Sequence, residues 1–79
     1  MPPLRKDFGN RLRAIRRERQ MTQERFAEAV GISVDFLSLI ERGINAPSFE
    51  TLDQIAKSLR VQVRYLFEFS ETVMRRRTP

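Results

Sequence analysis

The chain has no cysteine and no histidine. The first absence excludes disulfides, thiolate metal sites and cysteine nucleophiles. The second removes serine–histidine triads, imidazole general bases and histidine zinc sites together. What remains for proton chemistry is carboxylates and two lysines, Lys6 and Lys57. Asp7, Glu18, Glu24, Glu28 and Glu41 show no paired constellation that would serve an active site, and both lysines read as surface residues, so no enzyme, cofactor or metal is expected. No apolar run approaches the ~20 residues of a membrane span. The N-terminus lacks the charged-then-apolar pattern of a signal peptide, so no membrane association and a cytoplasmic location are expected. At 79 residues, there is room for one small core and one domain.

Charge of one sign dominates. Lys+Arg number 15 against 10 Asp+Glu, for a net charge of +5, and thirteen of the fifteen cations are arginine. The guanidinium fork suits phosphate oxygens and guanine edges. A small domain so rich in arginine points towards a polyanionic partner.

The pattern along the chain is helices cut by short turns. Residues 1–5 read as a loose arm, 6–69 as the folded domain and 70–79 as a C-terminal extension, helical and then frayed. Asp7 can start a first helix, in which Phe8, Leu12, Ile15 and Arg19 share a stripe. Arg11, Arg13 and Arg17 fall off that stripe, and Arg16 sits at its edge. Thr22 is an N-cap for a second helix with Phe26, Ala27 and Val30 inward, and Gly31 stops it. Ser33 caps a third helix over 34–42, stopped by Gly43. Only Ile32 separates Gly31 from Ser33, a connection that sets two helices roughly perpendicular, as in a helix-turn-helix. Ser48 caps a fourth helix whose inward residues are Phe49, Leu52, Ile55, Ala56 and Leu59. A fifth helical segment starts near Gln62. No stretch alternates with period two for long enough to form a strand, so the fold class is all-α.

On a helical wheel the third helix divides cleanly. Ser33, Phe36, Leu37, Ile40 and Glu41 share the core arc, and Val34, Asp35, Ser38, Leu39 and Arg42 share the opposite one. That outer face carries two apolar groups, a hydroxyl, a carboxylate and a guanidinium. A DNA major groove can use each of them: thymine methyls meet apolar groups, cytosine N4 donates to a carboxylate, and arginine reads guanine or holds a phosphate. The same face also fits a plain solvent surface with an isolated leucine, or a contact to a partner protein. Gln23, in the first turn of the second helix, can donate to a phosphate or be an ordinary polar first-turn residue.

Several motifs then fall in order. They are Arg11-Leu12-Arg13-Ala14-Ile15-Arg16, Met21-Thr22-Gln23-Glu24-Arg25-Phe26-Ala27, Val30-Gly31-Ile32-Ser33, Phe36-Leu37-Ser38-Leu39-Ile40-Glu41-Arg42-Gly43, and Ala46-Pro47-Ser48-Phe49. Thr51-Leu52, Ile55-Ala56 and Leu59 complete them. Together these resemble the Cro/CI (XRE-type) helix-turn-helix family over about residues 8 to 67. The resemblance implies a five-helix, lambda-repressor-like domain with the helix-turn-helix formed by helices 2 and 3. It also implies a transcription regulator that binds double-stranded DNA. By position it implies that Gln23 contacts a phosphate and that Ser33 caps and reaches backbone or base. Val34, Asp35, Ser38 and Leu39 would face bases, Arg42 and Asn45 would contact the DNA backbone, and Arg16 and Glu41 would form a buried ion pair.

The chain departs from the family pattern in having two apolar residues and one acid at base-facing positions. Sparse hydrogen-bond readout, with specificity from methyl contacts and DNA shape, is the expectation. Val63, Leu66, Phe67, Phe69, Val73 and Met74 form a stripe wider than one small core needs. Helix five, with Val63, Leu66, Phe67, Phe69 and Val73, is therefore the expected homodimer contact. A two-fold dimer would set its recognition helices about 34 Å apart on a palindromic operator. The alternative is an antitoxin-like module whose C-terminal stripe binds a partner protein, with DNA binding for autoregulation.

Overall fold

The computed structural model describes residues 3–69. Four α-helices follow one another: α1 Leu4–Glu18, α2 Gln23–Val30, α3 Val34–Glu41 and α4 Phe49–Leu59. A 3-10 helix, Val63–Phe67, comes after them, and no strand occurs among the described residues. The expected fifth α-helix is thus a 3-10 segment in the described part of the chain. Val73 and the extension over 70–79 lie outside the described residues.

Local chemistry sets the boundaries. Thr22 Oγ1 accepts from the Arg25 amide at 3.1 Å, Ser33 Oγ from the Phe36 amide at 3.0 Å, and Ser48 Oγ from the Thr51 amide at 3.1 Å. Each of these caps satisfies one of the donors that a helix start leaves open. All four helices end in the same way, with a left-handed residue followed by two backward amide bonds. In α3, Gly43 N donates to Ile40 O at 2.9 Å and Ile44 N to Leu39 O at 2.9 Å. Gly31 ends α2 similarly, but Gln20 and Arg60 fill this position after α1 and α4, with φ of 57° and 59°. The first helix begins at Leu4, with Pro3 as its N-cap. Leu4 and Arg5, expected in a loose arm, therefore belong to α1.

α1 packs on α3, α2 on both α3 and α4, and the 3-10 helix closes over α1 and α4. Phe26, Leu12, Ile15, Leu37, Ile40, Ile55, Leu66 and Val30 are fully enclosed at the centre. The α1–α3 crossing is close because Gly9 has no side chain: a Cβ there would overlap the Ile40 carbonyl oxygen.

Three residues sit elsewhere than the periodicity implied. Arg11 is buried, not off the core stripe. Its Nε donates to Tyr65 O at 3.2 Å and its guanidinium lies 4.5 Å from the centre of the Tyr65 ring. The core arginine thereby ties α1 to the 3-10 helix. Phe49, expected inward, is 86% exposed, because the first residue of α4 lies beyond the end of the packed core. Leu66, expected at a dimer contact, is wholly enclosed in its own chain's core and has no surface to offer a partner.

Candidate nucleic-acid interface

One carboxylate joins the three helices that build the interface. The Glu41 side chain, at the end of α3, is fully buried. Arg16 of α1 meets it with two bonds, Nε to Oε2 at 2.7 Å and Nη2 to Oε1 at 3.1 Å. The third arm of that guanidinium, Nη1, donates to Met21 O at 2.8 Å and so fixes the approach to α2. Gln23 Nε2, in the first turn of α2, donates to Glu41 Oε1 at 3.1 Å, and Arg13 Nε stands 3.6 Å from the same oxygen. Bidentate geometry and the extra donors compensate the carboxylate for its lost water. The start of α2 and the end of α3 are therefore held in fixed register.

The network changes the picture of Gln23. Its amide has an internal acceptor that the sequence did not suggest, yet an NH2 group has two hydrogens. One is committed to Glu41, and the other remains for an external acceptor.

The opposite side of α3 is open. Val34 is 36% exposed, Asp35 and Arg42 are exposed, and Ser38 and Leu39 are half-buried. Leu37, Ile40 and Glu41 face inward. The Ser33 hydroxyl oxygen is taken by its cap bond, which leaves its own O–H to donate. Leu39 O accepts from both Ile44 N and Asn45 N, at 2.9 and 3.3 Å, which folds the following loop against the end of α3. Asn45 and Ile44 on that loop are exposed. Val34, Asp35, Ser38, Leu39, Arg42 and Asn45 thus lie along one helix and its exit loop.

Three cations beside this surface were not among the expected site residues. Arg13 borders the Glu41 network with its side chain about one-third exposed (36%). Arg5 Nη1 donates to Ile44 O at 3.3 Å, and the Lys6 side chain packs beside Gly43. In the sequence the arginine-rich stretch hinted at Arg13, but nothing local connects Arg5 or Lys6 to a loop 38 residues away.

A capped, buttressed pair of short helices presenting a mixed polar and apolar outer face defines a helix-turn-helix DNA-binding domain. The HTH_3 helix-turn-helix family matches residues 12–66, and the chain belongs to that family of DNA-binding transcription regulators, which are not enzymes. It is 44% identical over 55 residues to the immunity repressor protein of Bacillus phage phi105, covering 70% of this chain and 38% of that one. It is also 44% identical over 54 residues to the HTH-type transcriptional regulator YazB of Bacillus subtilis, covering 68% of this chain and 78% of YazB. The chain spans about two-fifths of the length of the phage repressor and of two similar Mycobacterium tuberculosis regulators, at 38% and 42%. Among solved structures, the clp gene regulator ClgR of Corynebacterium glutamicum is similar, with a TM-score of 0.79 and 31% identity over 94% of this chain and 96% of that one. The restriction–modification controller protein C.AhdI of Aeromonas hydrophila gives 0.73 and 29% over 78% and 94%. No helix among the described residues is long and apolar enough to cross a membrane.

Proposed function

We propose that the protein is a sequence-specific transcription regulator that binds a palindromic operator as a homodimer. The observation that carries this reading is the open face of α3, backed by a fully buried carboxylate that fixes α3 against α1 and α2. In this reading α3 lies in the major groove. Val34 and Leu39 meet thymine methyls, Asp35 accepts from a cytosine amino group, and Ser33 and Ser38 donate to base edges or backbone. The second amide hydrogen of Gln23 reaches a phosphate at the start of α2, and Arg42 and Asn45 hold the backbone at the end of α3.

The dimer contact is drawn from Val63, which is 37% exposed, and from the half-buried Phe67 and Phe69. Selection of binding sites from a random duplex library, repeated at several salt concentrations, tests the reading. Enrichment of a palindrome with half-sites about ten base pairs apart supports it. Sequence-blind binding that fades steeply with salt reduces it to a basic surface.

A further inference from the structure

We propose that Arg5 and Lys6 form a phosphate clamp at the end of α3, a DNA contact made by the first turn of α1. The inference rests on the reading that α3 occupies the major groove. Arg5 Nη1 is anchored on Ile44 O at 3.3 Å, so the guanidinium is held against the loop that leaves α3. One of its five N–H donors is used there, and the others stay available. The Lys6 stem runs over Gly43. A Cβ built on that glycine would stand 2.9 Å from Lys6 Cδ and 3.0 Å from Cγ, and Gly43 itself has φ +77°. The glycine that ends α3 is thus also the bed on which Lys6 lies.

Both residues are exposed, and no ion pair among the described residues engages either of them. Their stems are ordered and their cationic groups are free, which lowers the entropic cost of gripping an anion. The exposed Arg42 and Asn45 stand on the same loop.

Geometry names the anion. An eight-residue helix such as α3 is about 12 Å long, close to the ~12 Å width of the major groove. With the first turn of α3 at the base edges, its far end emerges at the groove wall, where the phosphodiester oxygens are. Cations fixed to the loop at that end meet phosphate and not base. They add affinity and orientation without reading sequence.

The test uses the full chain and the operator obtained by selection. Binding is measured over a salt series for wild type, Arg5→Gln, Lys6→Gln and Lys57→Gln, with melting of each variant recorded alongside. Lys57 is the control cation, exposed on α4 and paired with Asp53 at 3.0 Å. Arg5→Gln and Lys6→Gln should each weaken binding several-fold, equally on operator and on mismatched duplex. Each should also lower the slope of log K against log salt by about 0.9, with melting unchanged. Lys6→Arg should restore the slope, and Lys57→Gln should leave it at the wild-type value. Wild-type affinity and slope in the Arg5 and Lys6 variants would overturn the clamp, and it alone, if Ser38→Ala and Gln23→Ala still weaken operator binding. Loss of sequence preference without a change in slope would also overturn it. Failure of the selection to yield any operator would remove the major-groove reading and the clamp with it.

Discussion

Glu41 is the residue on which most of the interface depends. Its buried carboxylate accepts from Arg16 and Gln23 and faces Arg13, so its removal strands two arginines and frees the start of α2. Glu41→Ala should destabilise the fold by roughly 3–5 kcal/mol, whereas exposed Asp35→Ala should change it little. Chemical denaturation of the two variants checks this, and similar midpoints would refute the structural role of the pair. Val34 offers a second test at the same scale. If its exposed side chain covers a thymine methyl, replacing that thymine with uracil removes a methyl contact worth about 0.8 kcal/mol, or roughly fourfold in affinity. Val34→Ala protein should be insensitive to the replacement, and operator titrations with the four combinations form the cycle. The wheel brought Val34, Asp35 and Ser38 to the outer face correctly because their placement follows from helical phase alone. It could not find the Gln23–Glu41 bond or the burial of Arg11, because those partners lie 18 and 54 residues away along the chain.

At the scale of the element, the caps were legible and the ends of the pattern were not. Thr22, Ser33 and Ser48 act within three residues of themselves, so their role is written locally. Phe49 fits the inward period of α4 but lies one turn before the core begins, alongside Leu4, Pro47 and Phe67 around a shallow apolar recess. Period fixes a direction and not a depth. The fifth segment likewise has apolar spacing suited to a helix, yet Val63–Phe67 takes the tighter 3-10 form where it closes over α1 and α4. The helix ends carry a prediction of their own. Arg60 holds a left-handed conformation, φ 59°, which costs a side-chain-bearing residue about 1–2 kcal/mol. Part of that returns when glycine takes its place, less the extra entropy glycine loses on folding. Arg60→Gly should therefore stabilise the chain by about 0.5–1 kcal/mol, seen as a higher denaturant midpoint with unchanged slope.

For the molecule as a whole the issue is pairing. Leu66 is spent on the chain's own core, and Phe67 packs on Phe8 with ring centroids 5.1 Å apart. A dimer contact in this region must then be built from the outer edges of Val63, Phe67 and Phe69. Sedimentation at micromolar concentration should give the mass of two chains, and Val63→Glu should shift it to one while leaving the helical content intact. Operator affinity should fall with it, because a monomer engages a single half-site. A wild-type mass of one chain would exclude the two-fold arrangement.

Composition, capping residues and helical phase were enough to determine the class of fold, the order of the first four helices and the outer face of α3. All of these depend on interactions within a few residues, which a linear sequence displays directly. Tertiary structure alone decided which charges are buried, which phenylalanine is left in solvent, and how the first turn of α1 comes to rest on the loop after α3. Those outcomes depend on what lies across the gap between elements. A guanidinium such as Arg11 or Arg16 is solvated or buried according to whether a distant carbonyl or carboxylate is brought within reach, and only the packed chain supplies that distance.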